Sequence, residues 1–400
     1  MASYTENLNL LKKNPLTEGN DNFNIDEMLN DNWDKIDAGV VTPILRVRLA
    51  DTGTAVVATN GTKSVTLTES SGVWTGKLTD YGTWTITGTV GGSTTTKTIE
   101  VDTVKLYEVY LVPEDVNDAS WSVISSVAQA GIADSVWDIG DTKSVTVNGT
   151  IGTYSVNKTL WVYIIGINHR GTSGITWQGF KTAQTGGVDV CLTDDNYGNS
   201  AYNGSKWFNM NHWGTNSGDY NTNYGGWKGS DLRYDILGST RTAPSGYGST
   251  ATTSRVGYDA PTNTATSPVS NTLMAALPSA LRAVMRPMTV YTDNKGNRSN
   301  TAANVTASVD YLPLLAEFEI HGTRSYANQY EQNQQSQYAY YAAGNSKVKH
   351  RDSATSTTAR WWTRSANYTD ATTFCGVDTD GSASSYGSGS PYGLAPAFLI

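Results

Sequence analysis

Cysteine is almost absent from this 400-residue sequence, which contains only Cys191 and Cys375. So few thiols exclude a disulfide-dense secreted scaffold and a zinc site built from several cysteines. A single bridge between the two could form. Because free cysteine often behaves as a small core hydrophobe, the sequence favours two buried free thiols.

Positive charge and long apolar runs are also lacking. The net charge is -8 and the pI is about 5.0, whereas nucleic-acid binding draws on a basic field, so we expect no nucleic-acid partner. No stretch approaches the roughly 18 apolar residues of a membrane span, and the N-terminus has no apolar signal-peptide core. We expect cytoplasmic synthesis without a signal peptide, no membrane insertion, and release by lysis or within a particle.

Motifs for catalysis and metal binding are missing as well. The four histidines are too widely spaced for a zinc site: His169, His212, His321 and His350. Glu317 and Glu319 would share one face of a predicted strand, but such carboxylates are more often hydrogen-bonded loop-tip residues than an acid/base pair. The segment 378–381 resembles part of a calcium loop but lacks the twelfth-position glutamate. We predict no catalytic residue, no metal and no cofactor.

Three segments differ in composition and in the pattern of their apolar residues, which predicts a multi-domain chain. Residues 1–40 contain a short amphipathic helix over Asn24 to Ala38, whose apolar stripe needs a partner, either the next domain or another chain. Residues 41–112 alternate β-rich runs with Gly, Asn and Asp, which predicts an immunoglobulin-like β-sandwich acting as a spacer. Residues 113–400 mix helices, buried strands and very long loops, which predicts an α+β domain. Its predicted elements include a helix interrupted by Pro278 and a buried strand over ASVDYLPLLAEFEIHG.

The C-terminal tail has a biased composition. Residues 365–400 lack Lys, Glu, Gln, Met and Trp, the residues that no codon ending in a pyrimidine can encode, although residues 234–273 lack them too. Tyrosine among Ser, Gly and Asn is the composition of antibody combining loops. A flexible surface loop without a role is the alternative. The apolar residues that bracket the tail favour presentation of a binding surface.

The order WWTRS, FCGVDTDG and GLAPAF, with upstream WVYIIGINHRG, NYGGWKGSDLRYDIL and DYLPLLAEFEIHG, resembles the variable proteins of diversity-generating retroelements. The likeness covers roughly Trp121 to Ile400 and implies a C-type-lectin fold of the formylglycine-generating-enzyme type. The segment LTEGNDNFNIDEMLNDNWDKID separately resembles N-termini of phage tail proteins from Gram-positive hosts. The sequence lacks the disulfides and calcium motifs of animal lectins and the paired catalytic cysteines of the oxidase.

The resemblance implies that an error-prone reverse transcriptase rewrites asparagine codons of the tail into any NNY codon. The implied ligand-binding, variable positions are Tyr368, Asp370, Thr372, Thr373, Gly376, Asp378, Thr379, Ser382, Ser384, Ser385, Tyr386, Ser388 and Tyr392. The implied framework positions are Trp361, Trp362, Arg364, Phe374, Gly393, Pro396 and Phe398.

These expectations combine into a predicted receptor-binding protein of a phage or prophage tail, located in the virion. Its partners would be a bacterial cell-surface protein or glycan and other phage tail proteins. Because several weak sites on one particle raise avidity, and because tail fibres are commonly three-fold, we expect a homotrimer. The alternatives are a tail-associated glycan hydrolase, with a cleft around Trp207 to Trp227 and Asp219, Asp231 and Asp235, or a purely structural tail protein.

Overall fold

A computed structural model describes residues 3–4, 11–12, 42–199, 207–211, 222–238 and 265–400. The helix predicted over Asn24 to Ala38 lies outside the described residues. The chain divides into two compact units, Met1–Pro113 and Glu114–Ile400. The described part is β-rich, with 39% of its residues in strands and 15% in helices, and the strands form several separate sheets. No helix of the described part is both long and apolar enough to cross a membrane.

The N-terminal unit contains a two-stranded pair and two four-stranded sheets. Its strands are β1 Ser3–Tyr4, β2 Leu11–Lys12, β3 Ile44–Arg48, β4 Val57–Asn60, β5 Lys63–Thr66, β6 Thr68–Ser70, β7 Val73–Lys77, β8 Gly82–Val90, β9 Ser93–Val101 and β10 Leu106–Tyr110. The four-stranded sheets have the orders β10-β3-β7-β6 and β5-β4-β8-β9. Only β10 and β3 pair in parallel within them.

Alternation of apolar and polar residues explains these strands. In β8, Trp84 and Ile86 are fully buried while the residues between them are partly exposed, as expected for a strand with one face on a core. Leu45, Val47 and Trp74 supply buried side chains from the other sheet. Each sheet therefore buries one apolar face.

The C-terminal unit contains the remaining elements. Its strands are β11 Thr142–Ile151, β12 Tyr154–Ile167, β13 Ile175–Lys181, β14 Val190–Cys191, β15 Met288–Asp293, β16 Val305–Asp310, β17 Lys349–Arg351, β18 Ala354–Ala359, β19 Trp361–Ala366, β20 Thr373–Val377, β21 Ala383–Gly387 and β22 Ala397–Leu399. Its α-helices are α1 Trp121–Ala130, α2 Leu273–Ala276, α3 Ser279–Arg282, α4 Glu317–His321 and α5 Ala339–Ala342. Single turns of 3-10 or π-helix cover Ala133–Ser135, His169–Gly171, Leu232–Ile236, Ala302–Asn304 and Gln329–Asn333.

Helix α1 has clear start and stop signals. The Ser120 hydroxyl accepts a hydrogen bond from the Val123 amide, and Gly131 ends the helix in the left-handed conformation with φ of 70°. Further along the chain, Pro278 separates α2 from α3, so the predicted interruption of that helix is confirmed.

One sheet joins the beginning and the end of the C-terminal unit. Its order is β11-β12-β13-β22, so the final strand of the chain pairs with the third strand of the unit. The register places Trp177 opposite Phe398, and their rings stack with centroids 6.3 Å apart. This pairing fixes the C-terminal residues that follow the predicted variable segment.

The strand predicted over ASVDYLPLLAEFEIHG is only half correct. Val305–Asp310 forms β16, but Glu317–His321 is the helix α4. The Glu319 carboxylate accepts a hydrogen bond from the Ala316 amide, and Gly322 ends the helix with φ of 71°. Glu317 and Glu319 therefore belong to a helical turn and do not project from one face of a strand.

Candidate functional site

Strands β19, β20 and β21 form a three-stranded antiparallel sheet that carries the predicted variable segment. Residue 376 of β20 lies opposite Trp362 on one side and Ser384 on the other. All six residues of β19 are buried, whereas β21 is mostly half-buried. Each predicted framework residue is buried: Trp361, Trp362, Arg364, Phe374, Gly393, Pro396 and Phe398.

The predicted variable positions are mostly accessible to solvent. Ten of the thirteen are half-buried or exposed. We call these ten the 368–392 surface: Tyr368, Asp370, Thr372, Thr373, Asp378, Thr379, Ser382, Ser384, Ser385 and Tyr392. The other three, Gly376, Tyr386 and Ser388, are buried, which differs from the expectation that all thirteen face solvent.

Packing explains the three buried positions. A Cβ atom at Gly376 would lie 2.9 Å from both the Trp361 carbonyl oxygen and the Tyr386 ring, closer than ordinary contacts allow. The Tyr386 ring packs edge-on against Trp362, with centroids 6.1 Å apart. Ser388 is fully buried, and its amide donates to the Thr372 carbonyl at 3.0 Å. These three residues are therefore packed inside the unit and do not contribute to its accessible surface.

A buried asparagine from a distant part of the chain holds the loop between β19 and β20. The Asn223 side-chain amide donates to the carbonyl oxygens of Asn367, Asp370 and Thr373 at 3.0, 2.8 and 2.9 Å. Its backbone amide donates to the Ala371 carbonyl at 2.7 Å. All four contacts use main-chain oxygens, so they place no requirement on the side chains of the loop.

Most hydrogen bonds from side chains of the 368–392 surface join residues that are close together in sequence. Asp370 accepts from the amide and hydroxyl of Thr372 at 2.9 and 2.8 Å. Asp380 likewise accepts from the amide and hydroxyl of Ser382 at 2.9 and 2.6 Å. These local turns are typical of Asp and Thr or Ser in loops. They stabilise the loops without connecting them to the core.

The side chain of the framework residue Arg364, in contrast, contacts residues that are distant in sequence. Its guanidinium forms a bidentate pair with Glu319 at 2.6 and 2.7 Å and also donates to Thr292 and the Leu314 carbonyl. Both ionic groups are buried. Nearby, burial raises the pKa of Glu331 to about 7, although the carboxylate accepts hydrogen bonds from Asp293 and Ser365. This polar network fixes β19 to α4 and β15.

A cluster of tyrosines and one arginine lies at the other end of the sheet. Tyr386 and Tyr392 contact each other with ring centroids 4.7 Å apart, and the Arg360 guanidinium lies 5.3 Å from the Tyr386 centroid. Arg360 also donates to Asp378 at 3.1 Å, and this hydrogen bond raises the pKa of the arginine. Although partial burial disfavours the Asp378 carboxylate, hydrogen bonds from Thr379 and Arg360 hold its pKa below the usual value.

The other candidate residues from the sequence lie in structural roles. Cys191 and Cys375 are buried and unbridged, and burial raises the pKa of each thiol. Glu317 accepts hydrogen bonds from the amides of residues 325–327. Within the described ranges, no group of three His, Cys, Asp or Glu side chains could hold a metal. His212 lies outside those ranges.

The structure describes part of the predicted cleft of the alternative hydrolase, where Trp207 and Asp235 are half-buried. Trp227 is fully buried, and its indole nitrogen donates to Asp310 at 2.9 Å. Asp231 is also fully buried, and Asp219 lies outside the described residues. A cavity of about 410 Å³ lies elsewhere, beside His169, Glu319 and Tyr338, and none of the predicted variable residues lines it.

Comparison with known protein families gives one match. The family described as Domain of unknown function (DUF6273) matches residues 192–400, which is more than half of the chain. The chain belongs to the DUF6273 family. No curated protein and no solved structure matches it. The DUF6273 region includes every predicted variable position and also Asn223, but it begins after β13, the strand that pairs with β22.

Sequence reasoning did not identify three residues of the site: Asn223, Arg360 and Tyr197. Asn223 bonds to residues more than 140 positions away, and a lone asparagine in an Asn/Gly-rich stretch gives no signal of that. Arg360 directly precedes the two tryptophans, and its position before a buried strand marked it as a strand-end residue that could reach the surface. Tyr197 contacts both Arg360 and Tyr392, and it stands alone in a polar loop.

Proposed function

We propose that this protein is a ligand-display protein, the receptor-binding protein of a phage or prophage tail. Its C-terminal unit would have a C-type-lectin fold whose 368–392 surface is diversified by a retroelement. The N-terminal unit would be an immunoglobulin-like spacer, and residues 1–40 would dock to other tail proteins and support a homotrimer. The receptor would be a bacterial cell-surface protein or glycan, and the protein would not be an enzyme.

The observation that carries the proposal is the way the 368–392 surface is held. Asn223 and strands β19 and β20 secure its backbone through main-chain atoms, while its own side chains bond mainly to close neighbours. A surface secured in this way tolerates new side chains without loss of its shape. Tyrosine, serine and threonine there supply rigid contact area and adaptable hydrogen bonds, as in antibody loops.

Two further observations support the proposed domains, one for each unit of the chain. The opening strands and the last strand of the C-terminal unit share one sheet, so the chain returns after the predicted variable segment to the strands with which the unit begins. The paired sheets of the N-terminal unit, each with one apolar face, support a sandwich acting as a spacer.

Sequencing tests the diversification. We expect a reverse-transcriptase gene and an imperfect copy of the final hundred or so bases beside this gene. Deep sequencing of a culture grown from one clone should show changes at codons of the 368–392 surface and none at the codons of Trp361, Trp362 and Arg364. Changes spread evenly over both sets of codons would contradict the proposal.

A binding experiment tests the display. The purified full-length protein should coat host cells and block adsorption of the particle. The double variant Tyr368→Ser with Tyr392→Ser should lose most of this binding, because it removes two of the large contact side chains. The matched control is Tyr81→Ser, which removes an exposed tyrosine from the N-terminal unit. Equal loss of binding in both variants would place the receptor site elsewhere.

A further inference from the structure

Beside the 368–392 surface lies a cluster that includes residues outside the predicted variable set. The Arg351 guanidinium lies 4.0 Å from the centroid of the Tyr197 ring, which is stacking distance. The Tyr197 hydroxyl accepts a hydrogen bond from the Arg360 amide at 2.7 Å. Tyr392 contacts Tyr197 edge-on at 5.9 Å. Two guanidinium groups and two half-buried tyrosines therefore adjoin one another at the edge of the surface.

The two arginines of this cluster lack strong internal neutralisation. No carboxylate among the described residues pairs with Arg351, which is half-buried. Arg360 pairs with Asp378, and their side chains are 44% and 31% exposed. Exposed pairs of this kind are only weakly stabilising, so a ligand can displace the carboxylate. The Arg351 guanidinium is thus available to an incoming anion, and the Arg360 guanidinium becomes available when the anion displaces Asp378.

We infer that Arg351, Arg360, Tyr197 and Tyr392 form a subsite for an anionic group carried on a sugar or polyol chain. This inference rests on the proposed display function and names the ligand chemistry of the same surface. Guanidinium forks match the oxygens of a carboxylate or phosphate, and tyrosine faces pack against the C–H faces of a sugar ring. The structure supplies both elements side by side.

The residue at position 378, which diversification would change, affects how strongly the subsite binds an anion. It is a predicted variable position, whereas Arg351, Arg360 and Tyr197 are not. An aspartate at position 378 occupies Arg360 and competes with an anionic ligand, while an uncharged residue there leaves Arg360 free. The constant residues would thus favour acidic cell-surface polymers, and the residue at 378 would set how strongly they are bound.

Calorimetric titration of the full-length protein tests the ligand class with three probes. The probes are trigalacturonic acid, its methyl ester, and a glycerol phosphate oligomer of similar length. We expect the acid or the phosphate oligomer to bind at least about tenfold more tightly than the ester, which keeps the ring but loses the charge. Stronger binding by the acid identifies a carboxylate site, and stronger binding by the phosphate oligomer identifies a phosphate site. Ester binding equal to both, or binding by none, overturns the inference.

Variants then locate the subsite. Arg351→Gln and Arg360→Gln should each weaken binding of the charged probe about tenfold, and Asp378→Asn should strengthen it about threefold. The matched control is Arg324→Gln, because Arg324 also stacks on a tyrosine of the same surface, 4.8 Å from the Tyr368 centroid. An equal effect of Arg324→Gln, or weaker binding by Asp378→Asn, contradicts the subsite. If cells still bind through Tyr368 and Tyr392 while the charged probes do not, the display function stands and only the anionic subsite fails.

Discussion

Strand β19 is followed directly in sequence by the 368–392 surface. Side-chain atoms hold β19 in place, whereas backbone atoms make most of the contacts that hold the 368–392 surface. In β19, side chains make the long-range contacts: the Trp361 and Trp362 indole nitrogens donate to the carbonyls of Lys347 and Phe208, and Arg364 pairs with Glu319. In the loop between β19 and β20, backbone oxygens accept them, and the side chains of the 368–392 surface add a few, such as the pair of Asp378 with Arg360. The comparison teaches that tolerance to substitution depends on which atoms carry the tertiary contacts.

The largest expected effect breaks the framework side of this comparison. Arg364→Met removes one partner of a buried ion pair and leaves Glu319 as an uncompensated charge, which costs about 3–5 kcal/mol of unfolding free energy. Urea unfolding followed by hydrogen exchange at residues 361–377 measures the loss in the C-terminal unit. The double variant with Glu319→Gln should recover part of it, because the buried charge is gone.

An exposed pair in the same unit provides the control for Arg364. Arg360→Met breaks the pair with Asp378, whose side chains are 44% and 31% exposed, and should cost less than about 1 kcal/mol. If Arg360→Met costs as much as Arg364→Met, burial does not separate the two regions. Buried and exposed side chains would then hold β19 and the 368–392 surface equally strongly.

The second effect sharpens the backbone side of the comparison. Asn223→Ala removes the side-chain donor to three carbonyl oxygens, of which that of Thr373 keeps the Asn367 amide as a partner, at a cost of about 1–3 kcal/mol. Hydrogen exchange should accelerate at residues 367–373, and binding through the 368–392 surface should weaken. Asn345→Ala is the matched control, since the Asn345 side-chain amide donates to one carbonyl, that of Tyr340. Unchanged exchange at 367–373 in Asn223→Ala would show that the loop is held by other contacts.

The third effect concerns Gly376, which lies between Trp362 of β19 and Ser384 of the 368–392 surface. Gly376→Ala places a methyl group 2.9 Å from the Trp361 carbonyl oxygen and from the Tyr386 ring, so the strands must move apart at a cost of about 1–3 kcal/mol. Thermal unfolding of the C-terminal unit measures it. Gly344→Ala tests φ alone, because its φ is 86° and nothing lies within 4 Å of its Cβ site. A neutral Gly376→Ala would return residue 376 to the set of freely variable positions.

How much of this could be predicted depends on the range of the interactions involved. The strands of residues 44–101 and the division of the helix at Pro278 follow from local alternation and from proline chemistry, and the structure has both. Burial of the framework tryptophans was predictable because apolar residues stand at both ends of the C-terminal tail. The five-residue helix α4 is too short to display a 3.6-residue period, so alternating Phe318 and Ile320 imitated a strand.

The site was less predictable than the fold for a related reason. The burial of Tyr386 depends on Trp362 and Tyr392, and a tyrosine among serines and glycines gives no local sign of it. Asn223 acts on carbonyl oxygens, which every residue carries, so no complementary sequence feature exists for it to match. Sequence could therefore indicate which segment is presented, but not which residues hold it.

The smallest expected effect is the one that the comparison most depends on. Ser382→Asn, Ser384→Asn and Ser385→Tyr place new side chains at half-buried or exposed positions whose backbone contacts remain. Each should change the unfolding free energy by less than about 0.5 kcal/mol, as for surface substitutions in general. Their effects should also add, because no shared long-range partner couples them. The triple variant should unfold within about 1 kcal/mol of the parent while its receptor binding changes severalfold. Thr363→Asn in β19 is the matched control, since Thr363 is buried and its hydroxyl donates to the Cys375 carbonyl at 3.0 Å. A triple variant as unstable as Thr363→Asn would mean that the 368–392 surface is part of the scaffold, and that side chains there are as constrained as those of β19.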